Sequence, residues 1–329
     1  MATLIIGAGL VGSQVARILV EEGQQPVLMD PAPQPDALGE IVDRDRIKLI
    51  EGDVLRPFTL AQAIREHGIT ELVHTAANPL LTLGAQRDPY AAIQLNIMGT
   101  VNVLEAARVM KLGRVVVSSS NVLSHYVAGG EGKGDLAREE AFPRPSTFYA
   151  STKQAIENLG LNYARWCGVD FAAVRYGAVA GPWSGRGGGG PSNVFRDAVL
   201  NALRGEEARL LSGGMEWVYV KDAAHGTVLA LKARDLKHRI FNITMGTVTT
   251  PEAFAAALRA VVPGARVRIE TPASVGASVM AMGHASDLSL ARETLGYAPR
   301  FGIEEAVRDM VGWFRANDRA GATGPRPRG

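Results

Sequence analysis

Only one cysteine, Cys167, occurs in 329 residues. An intramolecular disulfide framework is therefore excluded; the chain suits a reducing, cytoplasmic setting, with Cys167 as a packing residue. An excess of one charge sign is also missing. The 35 Lys and Arg nearly balance 33 Asp and Glu, and a net charge of +2 gives no electrostatic footprint for nucleic acid or an anionic membrane. No apolar run reaches the ~20 residues a membrane helix needs. The opening stretch Leu4 to Val20 lacks a basic flank and is broken by Gly7, Gly9 and Gly12, unlike a secretory signal. The six histidines are scattered and form no close grouping with Cys or Asp, so no metal is expected. His74 is read as a packing residue at a strand end. No internal repeat is found.

What is present is an ordinary globular composition, 47% apolar and 21% charged, on a chain long enough for a large core and two lobes. Short β-rich runs alternate with longer helical patterns through the first half. Strands are expected at Thr3–Ile6, Pro26–Met29, Ile47–Glu51, Leu72–His74, Arg114–Ser118 and Asp170–Arg175. Helices are expected at Gly12–Glu22, Thr59–Glu66, Ala91–Met110 and Tyr149–Trp166. Near-continuous apolar strands in such alternation predict an α/β fold, a Rossmann-type doubly wound parallel sheet covered on both faces. After Arg175 the pattern turns irregular, and Ser184–Pro191 is too rich in Gly for regular structure. Helices at Asn193–Arg204, Ala223–Ala233, Pro251–Ala260 and Ile303–Ala316, with strands at Trp217–Val220 and Ile240–Ile243, follow. This predicts a dinucleotide-binding domain over 1–175 with parts of 215–245. A smaller, discontinuous substrate lobe is expected over 176–214 and 246–316, and 317–329 is expected to be a disordered tail. A ligand cleft is expected between the lobes, at the carboxyl ends of the parallel strands.

The turn Gly7-Ala8-Gly9-Leu10-Val11-Gly12 directly follows the first strand and opens the first helix. Its first two glycines permit a tight turn and close approach to a pyrophosphate, and the third lets the helix pack on the sheet. Asp30 ends the second strand, 18 residues past Gly12. An acidic side chain there accepts both ribose hydroxyls and repels a 2′-phosphate, and no basic residue follows closely, which argues for NAD over NADP. Tyr149 and Lys153 stand four residues apart, on one helix face. A nearby ammonium is expected to lower the tyrosine pKa and ready the phenol for proton exchange with a hydroxyl or carbonyl.

With these motifs in place the chain resembles the extended short-chain dehydrogenase/reductase family, also labelled NAD-dependent epimerase/dehydratase, over residues 3 to 316. By that resemblance Asp53, in Gly52-Asp53-Val54, bonds the adenine, and Ala76 and Ala77, in His74-Thr75-Ala76-Ala77, line the cofactor. Asn96 supports the catalytic Lys through water, and Arg175-Tyr176 and Gly181-Pro182 follow the nicotinamide-side loop. Asp287 and Leu295-Gly296-Tyr297 match the C-terminal pattern. Ser118-Ser119-Ser120 ends a strand where the family places its catalytic Ser; counting back from Leu123-Ser124-His125 selects Ser120, with Ser119 as the alternative. The resemblance thus implies a catalytic set of Ser120, Tyr149, Lys153 and Asn96. The implied NAD site comprises Gly7, Gly9, Leu10, Val11, Gly12, Asp30, Asp53, Val54, Ala76, Ala77, Ser118, Tyr149, Lys153 and Tyr176. In the implied chemistry Lys153 stabilises the phenolate, Ser120 orients the substrate oxygen, and Tyr149 takes the alcohol proton as hydride passes to the nicotinamide.

The chain departs from nucleotide-sugar members of the family. Ala178 and Met215 stand where an Asn and an Arg grip the diphosphate, and Asn121-Val122 replace the Asp-Glu of the 4,6-dehydratases. A donor and a cation are missing from a site that should hold two negative charges. A smaller secondary alcohol or carbonyl is therefore expected as substrate: a sugar, sugar acid, hydroxy acid or amino alcohol. Candidate contacts are Ser120, Asn121, Arg186 and Trp217. Arg186 lies beside the glycines, where it could meet a carboxylate or phosphate. The run Gly187–Gly190 and Trp217-Val218-Tyr219 loosely resemble the threonine-dehydrogenase branch. A nucleotide-sugar epimerase with tightly held NAD is the alternative. Ala91–Met110 and Tyr149–Trp166 pair across subunits in many family members, so a homodimer is expected.

Overall fold

The computed structural model describes residues 2–77, 88–126, 138–139, 145, 147–271 and 285–317. The tail expected to be disordered lies outside the described residues from 318 on, and Asn317 ends the last helix. Chain order begins β1 (Thr3–Ile6), α1 (Leu10–Glu21), β2 (Val27–Asp30), α2 (Pro35–Gly39), β3 (Lys48–Glu51), α3 (Pro57–Glu66) and β4 (Glu71–His74). It continues through α4 (Pro89–Ile93), α5 (Gly99–Met110), β5 (Val115–Ser120), α6 (Phe148–Cys167), β6 (Phe171–Tyr176) and β7 (Ala178–Ala180). Then follow α7 (Gly190–Leu203), β8 (Ala208–Leu211), β9 (Met215–Tyr219), α8 (Val220–Lys232), β10 (Ile240–Ile243) and β11 (Val248–Thr249). The chain ends with α9 (Pro251–Val261), β12 (Val267–Glu270), α10 (Ser289–Leu295) and α11 (Ile303–Asn317).

Seven strands pair in the order β10-β6-β5-β4-β1-β2-β3, every pairing parallel. Side chains alternate across such a sheet, and both faces here are apolar. Ile5, Leu28, Val73, Val116 and Val174 pack under α1, α8 and α10. Leu4, Ile6, Met29, Leu72, Val117 and Ala173 pack under α3, α5 and α6. This is the physical meaning of the continuous apolar strands: with helices on both sides neither face meets water. The chain runs outward from β1 in both directions, so β1 and β4 flank the point where the order reverses, and their carboxyl ends frame a crevice.

A three-stranded sheet, β11-β9-β7, and a two-stranded one, β12-β8, complete the strands among the described residues. They enclose a third core in which Phe195, Trp217, Phe254 and Phe314 meet. The sequence pattern missed β7, β8, β11 and β12. These strands are two to four residues long, and β8 (ARLL) and β12 (VRIE) mix charged with apolar residues, so neither a continuous apolar run nor a period of two marks them. The helix expected over Ala91–Met110 is broken into α4, a wide turn at Gln94–Met98, and α5.

Candidate active site

A cavity of about 810 Å³ opens at the carboxyl ends of β1 to β6 and is closed on its far side by β7, β9 and the glycine loop before α7. Its floor is the turn after β1. Gly7 sits at φ +102°, and a Cβ there would lie 2.8 Å from the Ala76 nitrogen. A Cβ on Gly12 would lie 1.9 Å from the Gly7 carbonyl oxygen. Both glycines are thus demanded by the protein itself. Gly9 differs, because a Cβ there would meet nothing within 4 Å; it borders the open cavity with Leu10 and Val11. The first turn of α1 has neither a side-chain cap nor an acidic residue, which leaves its amides and helix dipole to an anion.

Asp30 ends β2 at the rim. Its carboxylate accepts from the Ala8 amide at 3.0 Å and the Ala32 amide at 3.0 Å, so it braces the glycine turn while lining the cavity. Asp53 accepts from Leu55 N at 2.9 Å and, with Val54, Ala76 and Ala77, lines the same space. Tyr176 lines it too; its hydroxyl is tied to Thr227, and burial pushes its pKa up. These residues line one cavity with an uncapped helix end and a carboxylate at the end of β2, a set that fits a dinucleotide.

Helix α6 carries Tyr149 and Lys153. Thr147 caps it by accepting from Ala150 N at 3.2 Å, and Gly168, at φ +70°, ends it. Lys153 is 2% exposed; its ammonium donates to the Ser118 carbonyl at 2.7 Å and lies 5.6 Å from the Tyr149 ring centroid. Burial lowers Lys153 to about 8, with Glu157 acting in the opposite direction. Tyr149 behaves contrary to the expectation of a lowered pKa. Burial pushes its phenol up to about 12, and only the Ser120 hydrogen bond pulls back. Loss of water around the phenolate outweighs the neighbouring ammonium.

Adjacent serines face different partners. Ser120 accepts from Val122 N at 3.2 Å and is hydrogen-bonded to Tyr149, which lines the same cavity. Ser119 donates to Glu157 at 2.5 Å, and Glu157 is gripped twice by Arg175, at 2.8 and 2.7 Å. Asn96 sits in the wide turn between α4 and α5 and donates to Thr152 at 3.0 Å; Thr152 in turn donates to the Tyr149 carbonyl at 2.7 Å. Asn96 is thereby linked to the backbone of α6, one residue from Lys153. His74 is fully enclosed, and burial holds it neutral, with its pKa down to about 3.

Among the expected substrate contacts, Ser120, Asn121 and Arg186 line the cavity, and Trp217 does not. Its side chain is fully buried between Phe195 and Phe254, at centroid distances of 5.2 and 6.2 Å. Trp217 pairs with Ala178 in the β7–β9 register, and this register turns the indole into the core, a correction to the sequence reading. The backbone of Arg186 is clasped by Gln34, which donates to its carbonyl at 3.2 Å and accepts from its amide. Arg186 is therefore tethered near the end of the cavity that holds Asp30. Met215 and Glu216 also line the wall. The sequence reading gave Glu216 no role.

Comparison with known proteins gives this arrangement its context. The model of the NAD dependent epimerase/dehydratase family matches residues 3–244. A UDP-glucuronate 4-epimerase from Thermodesulfobacterium geofontis is 25% identical over 94% of each chain. Among solved structures, a partial consensus L-threonine 3-dehydrogenase superposes with a TM-score of 0.83 at 27% identity, covering 96% of this chain and 100% of the other. The UDP-glucose 4-epimerase of Thermus thermophilus, in complex with NAD, superposes at 0.78 with 25% identity, covering 96% and 100%. The family match spans the glycine turn, Asp30, Tyr149 and Lys153: this chain belongs to the NAD-dependent epimerase/dehydratase family and is an NAD-dependent enzyme.

Proposed function

We propose that the protein is a dehydrogenase of the extended short-chain type that interconverts a small secondary alcohol and its carbonyl. The observation that carries this reading is the pairing of Ser120 with Tyr149 in a cavity whose far wall presents Met215, where a diphosphate would need a cation. When bound, NAD supplies the hydride acceptor. Gly7, Gly9, Leu10, Val11 and Gly12 would hold its pyrophosphate, Asp30 its ribose, Asp53 and Val54 its adenine end, and Ala76, Ala77, Ser118 and Tyr176 the remainder. Ser120 donates to the substrate oxygen and orients it. Tyr149 accepts the alcohol proton, or returns it in the reverse direction. Lys153 holds positive charge beneath the phenol, and Asn96 steadies that part of α6 through Thr152. In this reading residues 1–175 with parts of 215–245 carry the cofactor, while 176–214 and 246–316 face the substrate. Purified protein with NAD is expected to reduce the nicotinamide when offered a panel of sugars, sugar acids, hydroxy acids and amino alcohols. Silence across the panel together with conversion of a nucleotide sugar would sink it.

The second reading, a nucleotide-sugar epimerase, is favoured by the end-to-end similarity to a UDP-glucuronate 4-epimerase. It predicts no net cofactor turnover and a rise in melting temperature with UDP, because a ligand that binds only the folded state stabilises it. We further propose a homodimer built on α4–α6, where Tyr90 and Trp166 are each 72% exposed and Met98 and Leu161 lie partly open. Light scattering at micromolar protein checks the mass, and a monomer contradicts the proposal.

A further inference from the structure

Gln34 and Arg186 lie 152 residues apart and line opposite sides of the cavity, and one side chain joins them. The Gln34 amide donates to the Arg186 carbonyl at 3.2 Å and accepts from the Arg186 amide. Both backbone groups of a loop residue are thus held by a single side chain, as a paired strand would hold them. The bridge ties the turn that follows Asp30, on the cofactor side, to the glycine loop that closes the far side.

The two halves of this clasp are built differently. Gln34 stands between Pro33 and Pro35; each ring fixes its own φ, and Pro35 also restricts the residue before it. Asp30 holds the Ala32 amide at 3.0 Å. Gln34 occupies the N-cap position of α2 and makes no capping bond with its side chain, so the amide is available to reach across. The opposite half is a strap. Trp183 is 2% exposed and donates through Nε1 to the same Arg186 carbonyl at 3.1 Å, which anchors the strap at its start. Gly187 and Gly188 follow at φ +98° and +88°, a conformation that glycine adopts without strain. A stiff catch therefore faces a strap with glycine hinges beyond it. Both bonds of the clasp are exposed to solvent, so their net worth is modest and the clasp can open.

We propose that Gln34 is a positioning residue whose clasp on Arg186 shuts the glycine loop over the Asp30 end of the cavity, so that NAD exchange waits on its opening. Asp30 is the residue that would hold the cofactor ribose, which puts the clasp next to that end of the dinucleotide. Gln34 needs no contact with the cofactor to act in this way. The inference concerns NAD alone and stands apart from the choice between dehydrogenase and epimerase.

Gln34→Met keeps an unbranched side chain of similar length and removes both bonds. NADH binding is followed by stopped-flow fluorescence, and trypsin cleavage after Arg186 by mass spectrometry. Loss of the clasp is expected to raise the association and dissociation rates of NADH together, by ~5-fold or more. Kd is expected to stay within ~3-fold of wild type, because a gate that is shut with and without cofactor changes rates and not the equilibrium. Cleavage at Arg186 is expected to quicken by a similar factor, since the cleaved backbone is the clasped one. Gln34→Glu keeps the acceptor and loses the donor; it is expected to fall between, and it carries the test should Gln34→Met fail to fold. A residue that only supports the fold would lower the melting temperature and leave both rates alone, which overturns the proposal. A dissociation rate that rises by itself, weakening Kd in proportion, makes Gln34 a cofactor contact and overturns it as well. Silence across the alcohol panel leaves the NADH rates untouched, so the dehydrogenase reading and this inference fall separately.

Discussion

Lys153 holds its ammonium 5.6 Å from the centre of the Tyr149 ring while donating to the Ser118 carbonyl at 2.7 Å. The geometry has a thermodynamic cost as well as a chemical use. Burial depresses the Lys153 pKa from 10.5 to about 8. Between those values the unfolded chain keeps the proton and the folded chain releases it, so stability rises with pH across the window and the full penalty is present below it. Lys153→Met removes the titration. Relative to that variant, the wild-type protein is expected to gain on the order of 3 kcal/mol between about pH 8 and 10.5, read from urea denaturation. The raised tyrosines, Tyr149 among them, titrate alike in both proteins and cancel in the difference. A difference flat with pH contradicts the burial argument.

Ser119 and Ser120 separate by their hydrogen-bond partners, Glu157 for one and the Val122 amide for the other. In the β5–β6 register Ser119 lies opposite Arg175 and Ser120 opposite Tyr176, and neighbours on a strand point to opposite faces. Ser119→Ala loses a buried hydrogen bond to a charged group, worth ~1.5–3 kcal/mol of stability, and is expected to keep its turnover at temperatures where it is folded. Ser120→Ala is expected to fold like the wild type and to lose ~100-fold or more in kcat, since a donor aimed at the reacting oxygen is gone. Melting temperatures and single-turnover rates for the two variants check both halves. Equal kinetic damage would mean that the strand places both hydroxyls in the chemistry.

These contrasts mark what was legible in the chain. The glycine turn, Asp30 and the Tyr149–Lys153 spacing are local patterns, and local spacing fixes which groups share a turn or a helix face. The parallel sheet was legible because each strand is a short apolar run with a helical pattern behind it. Trp217 was misplaced because its direction depends on pairing with β7, a three-residue strand that no period reveals. Glu216 was passed over because its partners Asn121, Thr244 and Ser286 lie 95, 28 and 70 residues away, and only the closed fold brings them together. The tyrosine pKa was expected to fall because sequence displays the neighbouring charge and hides the loss of water.

Gly9 and Gly12 offer a test of the cofactor cradle that separates binding from folding. A Cβ at Gly12 would lie 1.9 Å from the Gly7 carbonyl oxygen, whereas one at Gly9 would meet no protein atom within 4 Å. Gly12→Ala is expected to lose soluble protein or several degrees of melting temperature. Gly9→Ala is expected to melt within a degree or so of wild type without cofactor, yet to bind NAD ~10-fold or more weakly, because the methyl occupies space the pyrophosphate needs. Calorimetric titration with NAD and thermal melts measure the two effects. Undiminished NAD affinity in Gly9→Ala would move the pyrophosphate away from this turn.

Tyr149→Phe isolates the proton transfer. The ring stays, so packing against Val122, Leu123 and Ala150 is preserved and NAD affinity is expected to stay within a factor of ~2 of wild type. The loss of a general base is expected to reduce alcohol oxidation by ~10²–10⁴-fold. The pH profile adds a sign. Because burial pushes the Tyr149 phenol up to about 12, the proton-accepting form is scarce at neutrality and grows with pH. Wild-type kcat/KM for the alcohol is therefore expected to climb between about pH 5.5 and 7, below the range around pH 8 where Lys153 loses its charge. The variant is expected to show no such climb. A wild-type rate that falls over that interval, or a variant that keeps the same slope, assigns the proton to a different group in the cavity.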